Sequence, residues 1–202
     1  MQKEIIAIDV DDVLAANAEG FVNFSNRRWG TNLTVEDYDE RWTKVWRVDE
    51  AEVWRRSDEM HATGVFGEYR HFTDAEEILR RLSEQYKLIV VTSRRTVIQK
   101  ETMAWLDKHF GGIFDDVVFS GAYDCSDTTD FSERFEITKT DTLVRIGAKY
   151  LIDDQLKHCY GAAESNVQAI LFGNYSWNQA DHLPANVTRC VDWQQVAKFF
   201  GV

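Results

Sequence analysis

The sequence predicts an α/β protein, a doubly wound parallel sheet with a small α-helical unit inserted after the first strand. Three observations lead there. Short apolar runs alternate with helix-period segments, as parallel strands covered on both faces do. Several of those runs end in acidic or hydroxyl residues, where an open α/β sheet binds its ligands. Roughly sixty residues separate the first run from the next amphipathic helix, far more than a crossover needs.

In chain order, Ile5 to Val10 forms the first strand, too short for a buried helix and rich in branched residues. Residues 17–72 follow as the inserted unit. They hold Trp29, Trp42, Trp46 and Trp54, with helical spacing in Phe21–Phe24 and in Trp42–Val45–Trp46. A helix then carries Ala75, Ile78, Leu79, Leu82 and Tyr86 on one stripe, opened by a capping box of Thr73 and Glu76. Leu88 to Thr92 is the second strand, and Ile98, Trp105, Leu106 and His109 mark the next helix. Val117 to Ser120 is the third strand, Tyr150 to Asp153 the fourth and Gln168 to Phe172 the fifth. Trp193, Val196, Ala197 and Phe200 stripe a last helix. Residues 1–16 and 73–202 thus form the α/β core.

Composition narrows the function. Thirty-four acids against 23 bases leave a net charge of −11. That balance argues against a nucleic-acid polymer or an anionic membrane as partner, but a local pocket can still hold a small anion. Nothing approaches 18 consecutive apolar residues, and the N-terminal apolar run is short and ends in acids. Cys125, Cys159 and Cys190 form no CxxC pair. A soluble cytoplasmic protein is the expectation.

The strand ends carry the chemistry. Side chains alternate along a strand, so Asp9 and Asp11 share a direction at the tip of the first. The second ends in Thr92-Ser93-Arg94-Arg95, a group of hydroxyls and cations able to bind phosphate; the same residues can equally cap a helix. The fourth ends in Asp153-Asp154, a costly pair unless a cation or donor satisfies it. Lys139 begins the helix before that strand. Asp9, Asp11 and Asp154 can supply hard oxygen ligands to Mg²⁺. Asp9 can then attack phosphorus while Asp11 protonates the leaving oxygen and later activates water.

The segments IIAIDVDDVLA, IVVTSRR, ITKTDTL and KYLIDDQLKH resemble motifs one to four of the haloacid dehalogenase superfamily of phosphatases. The insertion falls where that superfamily places a helical cap. DVDDVLA, the TS pair and LIDD are most similar to the 5'(3')-deoxyribonucleotidases and their uncharacterised relatives. The resemblance implies a Rossmann-like core with a cap at 17–72 and a Mg²⁺-dependent phosphomonoesterase acting on a small phosphorylated substrate. It makes Asp9 the nucleophile and Asp11 the general acid and base. Thr92 and Ser93 become phosphate ligands and Lys139 the stabilising cation. Asp154 would bind Mg²⁺ with Asp9 and the Asp11 carbonyl, leaving Asp153 behind them. Two departures stand out: Asp12 occupies a position where many relatives have glycine, and Ala16-Asn17 replaces an aspartate and a base-stacking phenylalanine.

Other candidates divide between function and packing. Arg94 is counted with the substrate-binding residues, although arginines at helix starts are commonly solvated. The aromatics of 17–72 can stack a nucleobase or form a bundle core. His158 lies one turn after Asp154 and can orient it. The acidic stretch holding Asp124, Asp127, Asp130, Glu133 and Glu136 reads as a solvated loop. A sugar phosphatase, or a non-catalytic binder of phosphorylated ligands, is the alternative function.

Overall fold

The computed structural model describes residues 3–121 and 139–202. Cys125 and the acidic residues from Asp124 to Glu136 lie outside them. Among the described residues, six parallel strands form one sheet in the order β3-β2-β1-β4-β5-β6. They are β1 (Ile5–Ile8), β2 (Lys87–Thr92), β3 (Asp116–Phe119), β4 (Ala148–Asp153), β5 (Gln168–Phe172) and β6 (Val187–Cys190). The doubly wound sheet is as expected, with one strand more. Edge strand β6 reads VTRC, with no apolar run to announce it.

The sheet separates two apolar layers by simple alternation. Ile6, Ile8, Leu88, Val90, Ile152 and Ile170 face one side, against α4 (Thr73–Gln85), α5 (Gln99–Phe110) and α8 (Trp193–Phe200). Ala7, Ile89, Val91, Leu151, Ala169 and Leu171 face the other, against α6 (Lys139–Ile146) and α7 (Leu156–Glu164). Helices therefore cover both faces, and β1 beside β4 marks the switch point, where a crevice opens beyond the strand ends.

Residues 17–72 hold α1 (Asn17–Trp29), α2 (Trp42–Trp46) and α3 (Glu50–Ala62). The segment leaves and rejoins the sheet at one place, because Ala16 N donates to Arg70 O at 2.8 Å and Phe72 N to Leu14 O at 2.9 Å. Asp49 caps α3 through the Glu52 amide, and Asp192 caps α8 through the Gln195 amide. The capping box expected at Thr73 does not form. Phe72 precedes the first turn with no side-chain acceptor, and Thr73 is already helical. No described helix is long and apolar enough to cross a membrane.

Candidate active site

Strand β1 ends at Ile8, and Asp9 follows with its amide donating to Ile152 O at 3.0 Å, which holds it against β4. Its carboxylate is buried beside Lys139, with Nζ 2.9 Å from Oδ1. The same ammonium reaches Asp153 Oδ2 at 2.6 Å. Lys139, which a helix start normally leaves in solvent, is only 3% exposed. Burial works against its charge, but Asp153 and Asp9 outweigh that and hold the ammonium well above its usual value. Burial pushes Asp9 up to about 7 against the pull of Lys139.

Asp153 and Asp154 divide their work. Burial opposes ionisation of Asp153, yet Lys139 and His158 keep it well below the usual carboxylate range. His158 Nδ1 lies 3.2 Å from both Asp153 oxygens, so the histidine expected to orient Asp154 orients its neighbour instead. Asp154 Oδ2 accepts from Trp177 Nε1 at 2.6 Å and from Gln155 Nε2 at 2.7 Å. Those donors are neutral, and burial lifts Asp154 well above the usual range. Asp9, Asp153 and Asp154 each present an oxygen within 4.8 Å of the others. Three buried carboxylates, two of them sharing the Lys139 ammonium, make a donor set that suits a hard divalent cation.

Asp11 turns elsewhere. Arg94 Nη2 donates to its Oδ1 at 2.7 Å, and Nε lies 3.1 Å from both oxygens. Arg94 is buried rather than solvated. Thr92 is fully buried, with Oγ1 accepting from the Arg94 amide at 3.1 Å, and Ser93 Oγ lies 3.4 Å from the Ser120 hydroxyl. Arg95 leaves this group for the inserted segment, pairing with Asp58 at 2.9 Å and lying over Trp54.

The backbone explains Asp12. Its φ of +55° is the left-handed region that favours glycine. Here an aspartate takes it and puts its carboxylate on the Ala18 amide at 3.0 and 3.2 Å, in the first turn of α1. Burial pushes that carboxyl up to about 8. Asn17 adds a long contact to Asp12 and donates to Tyr38 Oη at 2.9 Å.

An aromatic wall at the site had not been singled out from sequence. Tyr175 stacks on Trp177 at 4.5 Å, Tyr38 meets Trp177 edge-on at 5.1 Å, and Tyr175 Oη donates to Asp12 O. Tyr175 and Trp177 lie just past β5, so the rule that ligands bind beyond strand ends pointed to them. Of the two courses open to the aromatics of 17–72, base stacking or a bundle core, Trp46 takes the core. Trp46 stacks on Phe21 at 5.0 Å, meets Trp29 edge-on and donates to Ser25 Oγ.

The family described as "5' nucleotidase, deoxy (Pyrimidine), cytosolic type C protein" matches residues 3–127. The chain belongs to this family. Its place in the haloacid dehalogenase superfamily, drawn above from four motifs, is borne out. The Bacillus subtilis (strain 168) protein named "Putative nucleotidase YqfW" is 29% identical over 104 residues, 51% of this chain and 53% of that protein. The chain therefore spans about half the length of that curated relative. Two solved structures share the fold across nearly all of both chains. "Hydrolase, haloacid dehalogenase-like family protein SP0104 from Streptococcus pneumoniae" is 15% identical with a TM-score of 0.69, covering 98% of each chain. The D,D-heptose 1.7-bisphosphate phosphatase from B. bronchiseptica, complexed with magnesium and phosphate, is 14% identical with a TM-score of 0.55, covering 98% of this chain and 97% of that one.

Proposed function

We propose that this nucleotidase-family member is a Mg²⁺-dependent phosphomonoesterase that hydrolyses a small phosphorylated metabolite, with a nucleoside monophosphate as first choice. The observation that carries this reading is the Asp9 carboxylate, buried at the switch point and held by Lys139 next to Asp154. A binding site for a phosphate anion has no need of a carboxylate aimed at it. A nucleophile does. The family and the name of the curated relative support a nucleotide substrate.

Asp9 Oδ attacks phosphorus, and the bond from phosphorus to the leaving oxygen breaks as the aspartyl-phosphate bond forms. Asp11 gives its proton to the leaving oxygen, then takes one from the water that releases phosphate. The Thr92 and Ser93 hydroxyls and the Lys139 ammonium hold the phosphoryl oxygens and offset the repulsion between two anions. Asp9 and Asp154, with the Asp11 carbonyl implied by the resemblance, would hold Mg²⁺, which supplies further charge neutralisation at phosphorus.

Residues 17–72 serve as the cap in this reading. Support comes from their contacts with the rim: Tyr38 against Trp177, Glu36 O accepting from Ser176, Glu40 paired with Lys157 and Asp58 with Arg95. The test is phosphate release from nucleoside monophosphates and from p-nitrophenyl phosphate, in Mg²⁺ and in EDTA. Turnover should need Mg²⁺, and a folded Asp9→Asn protein should lose about three decades of it. Full activity in EDTA, or near-normal turnover by Asp9→Asn, would overturn the reading.

A further inference from the structure

Arg94 was expected at the substrate phosphate, yet its guanidinium points into the protein. Its side chain is 2% exposed, whereas that of Asp11 is 27% exposed, so the cation sits behind the carboxylate. Three rings surround it, Phe66 at 5.5 Å and Tyr69 and Trp105 at 6.0 Å each. Nη1 donates to Thr102 Oγ1 at 3.2 Å. Nε and Nη2 meet Asp11 unevenly. Oδ1 receives Nη2 at 2.7 Å and Nε at 3.1 Å, while Oδ2 receives Nε at 3.1 Å.

We infer that Arg94 is a positioning residue for Asp11, holding Oδ1 through two contacts and Oδ2 through one, so that the less engaged Oδ2 exchanges the proton with the leaving oxygen. The inference rests on the phosphomonoesterase reading above. A planar fork fixes both the position and the rotation of a carboxylate, which a single ammonium cannot do. The aromatic box fixes the fork in turn. Phe66 and Tyr69 belong to the inserted segment and Trp105 to α5, so the placement of Asp11 depends on the inserted segment being docked. In the first half-reaction the proton on Asp11 Oδ2 passes to the leaving oxygen as its bond to phosphorus breaks and the Asp9–phosphorus bond forms. A misplaced Asp11 therefore harms esters whose leaving group must be protonated, and spares those whose leaving group departs as a stable anion.

The experiment compares kcat/KM for a nucleoside monophosphate and for p-nitrophenyl phosphate, and the inhibition constant of inorganic phosphate, in Arg94→Lys and Arg94→Met. The nucleotide should lose about 100-fold or more and p-nitrophenyl phosphate less than about fivefold, since general-acid catalysis contributes on this order. The phosphate inhibition constant should stay within about twofold, because no ground-state contact is removed. Asp11→Asn should show the same split, and adding Arg94→Lys to it should cost nothing more. If Arg94→Met fails to fold, Arg94→Lys, which keeps the charge but not the fork, carries the test. Equal losses on both esters, additivity with Asp11→Asn, or a phosphate inhibition constant raised about tenfold would overturn the positioning role, the last restoring Arg94 as a phosphate ligand. A wild-type protein that hydrolyses neither ester would remove the phosphomonoesterase reading and this role with it. Wild-type turnover left intact by the Arg94 variants would remove this role alone.

Discussion

A carboxylate buried without a cation opposes folding, and Asp154 is in that position. Lys139 serves Asp9 and Asp153, while the donors on Asp154 Oδ2 are the neutral Trp177 and Gln155. Burial raises Asp154 well above 3.8. A group raised in this way leaves stability intact below its unfolded value and removes it as pH climbs toward the folded one. Asp154→Asn abolishes that loss. In EDTA the variant should therefore melt above wild type at neutral pH, with the gap closing toward about pH 4. Mg²⁺ should reverse the order. A ligand bound only by the native state adds about 2.7 kcal/mol at 100 times its Kd, roughly 5–10 °C in a chain of this size. Thermal denaturation between pH 4 and 7, with and without Mg²⁺, checks this. Wild type melting above Asp154→Asn in EDTA at pH 7 would contradict it.

Two groups of aromatics from different elements have different work. In α1 and α2, Phe21, Trp29, Trp42 and Trp46 pack on one another, with Arg56 over Trp29 and Trp46. Past β5, Trp177 holds a carboxylate. Trp46→Ala should cost about 3–5 kcal/mol in denaturant unfolding, as for a buried tryptophan. Trp177→Phe keeps a ring but loses the N–H to Asp154, so it should leave stability nearly unchanged and raise the Mg²⁺ requirement for turnover by about 10–100-fold. An unchanged requirement would detach Trp177 from the site. Spacing could place Trp42 and Trp46 on a helix, but not show which way that helix faces, because an inward and an outward aromatic stripe read alike. Strand β6 was illegible for a related reason: an edge strand can carry Thr188 and Arg189 without an apolar run.

At the scale of the molecule, the sheet order brings three distant parts of the chain together. Asp9 follows β1, Thr92 ends β2 and Asp153 ends β4, and because these strands run parallel all three ends lie on one edge. That much was legible, because strand-end residues can be read from runs alone. What depended on side-chain rotation was not. Whether Asp11 meets a metal or an arginine, and whether His158 serves Asp153 or Asp154, is set by packing several elements away. The central claim is that Asp9 carries the phosphoryl group. Its most direct test is a single turnover with enzyme in excess over a nucleoside monophosphate, quenched in acid within milliseconds and reduced with borohydride. An aspartyl phosphate reduces to homoserine, so peptide mass spectrometry should find homoserine at position 9 and aspartate at position 11. Phosphate release with aspartate intact at position 9 at every quench time, or homoserine at another position, would contradict it.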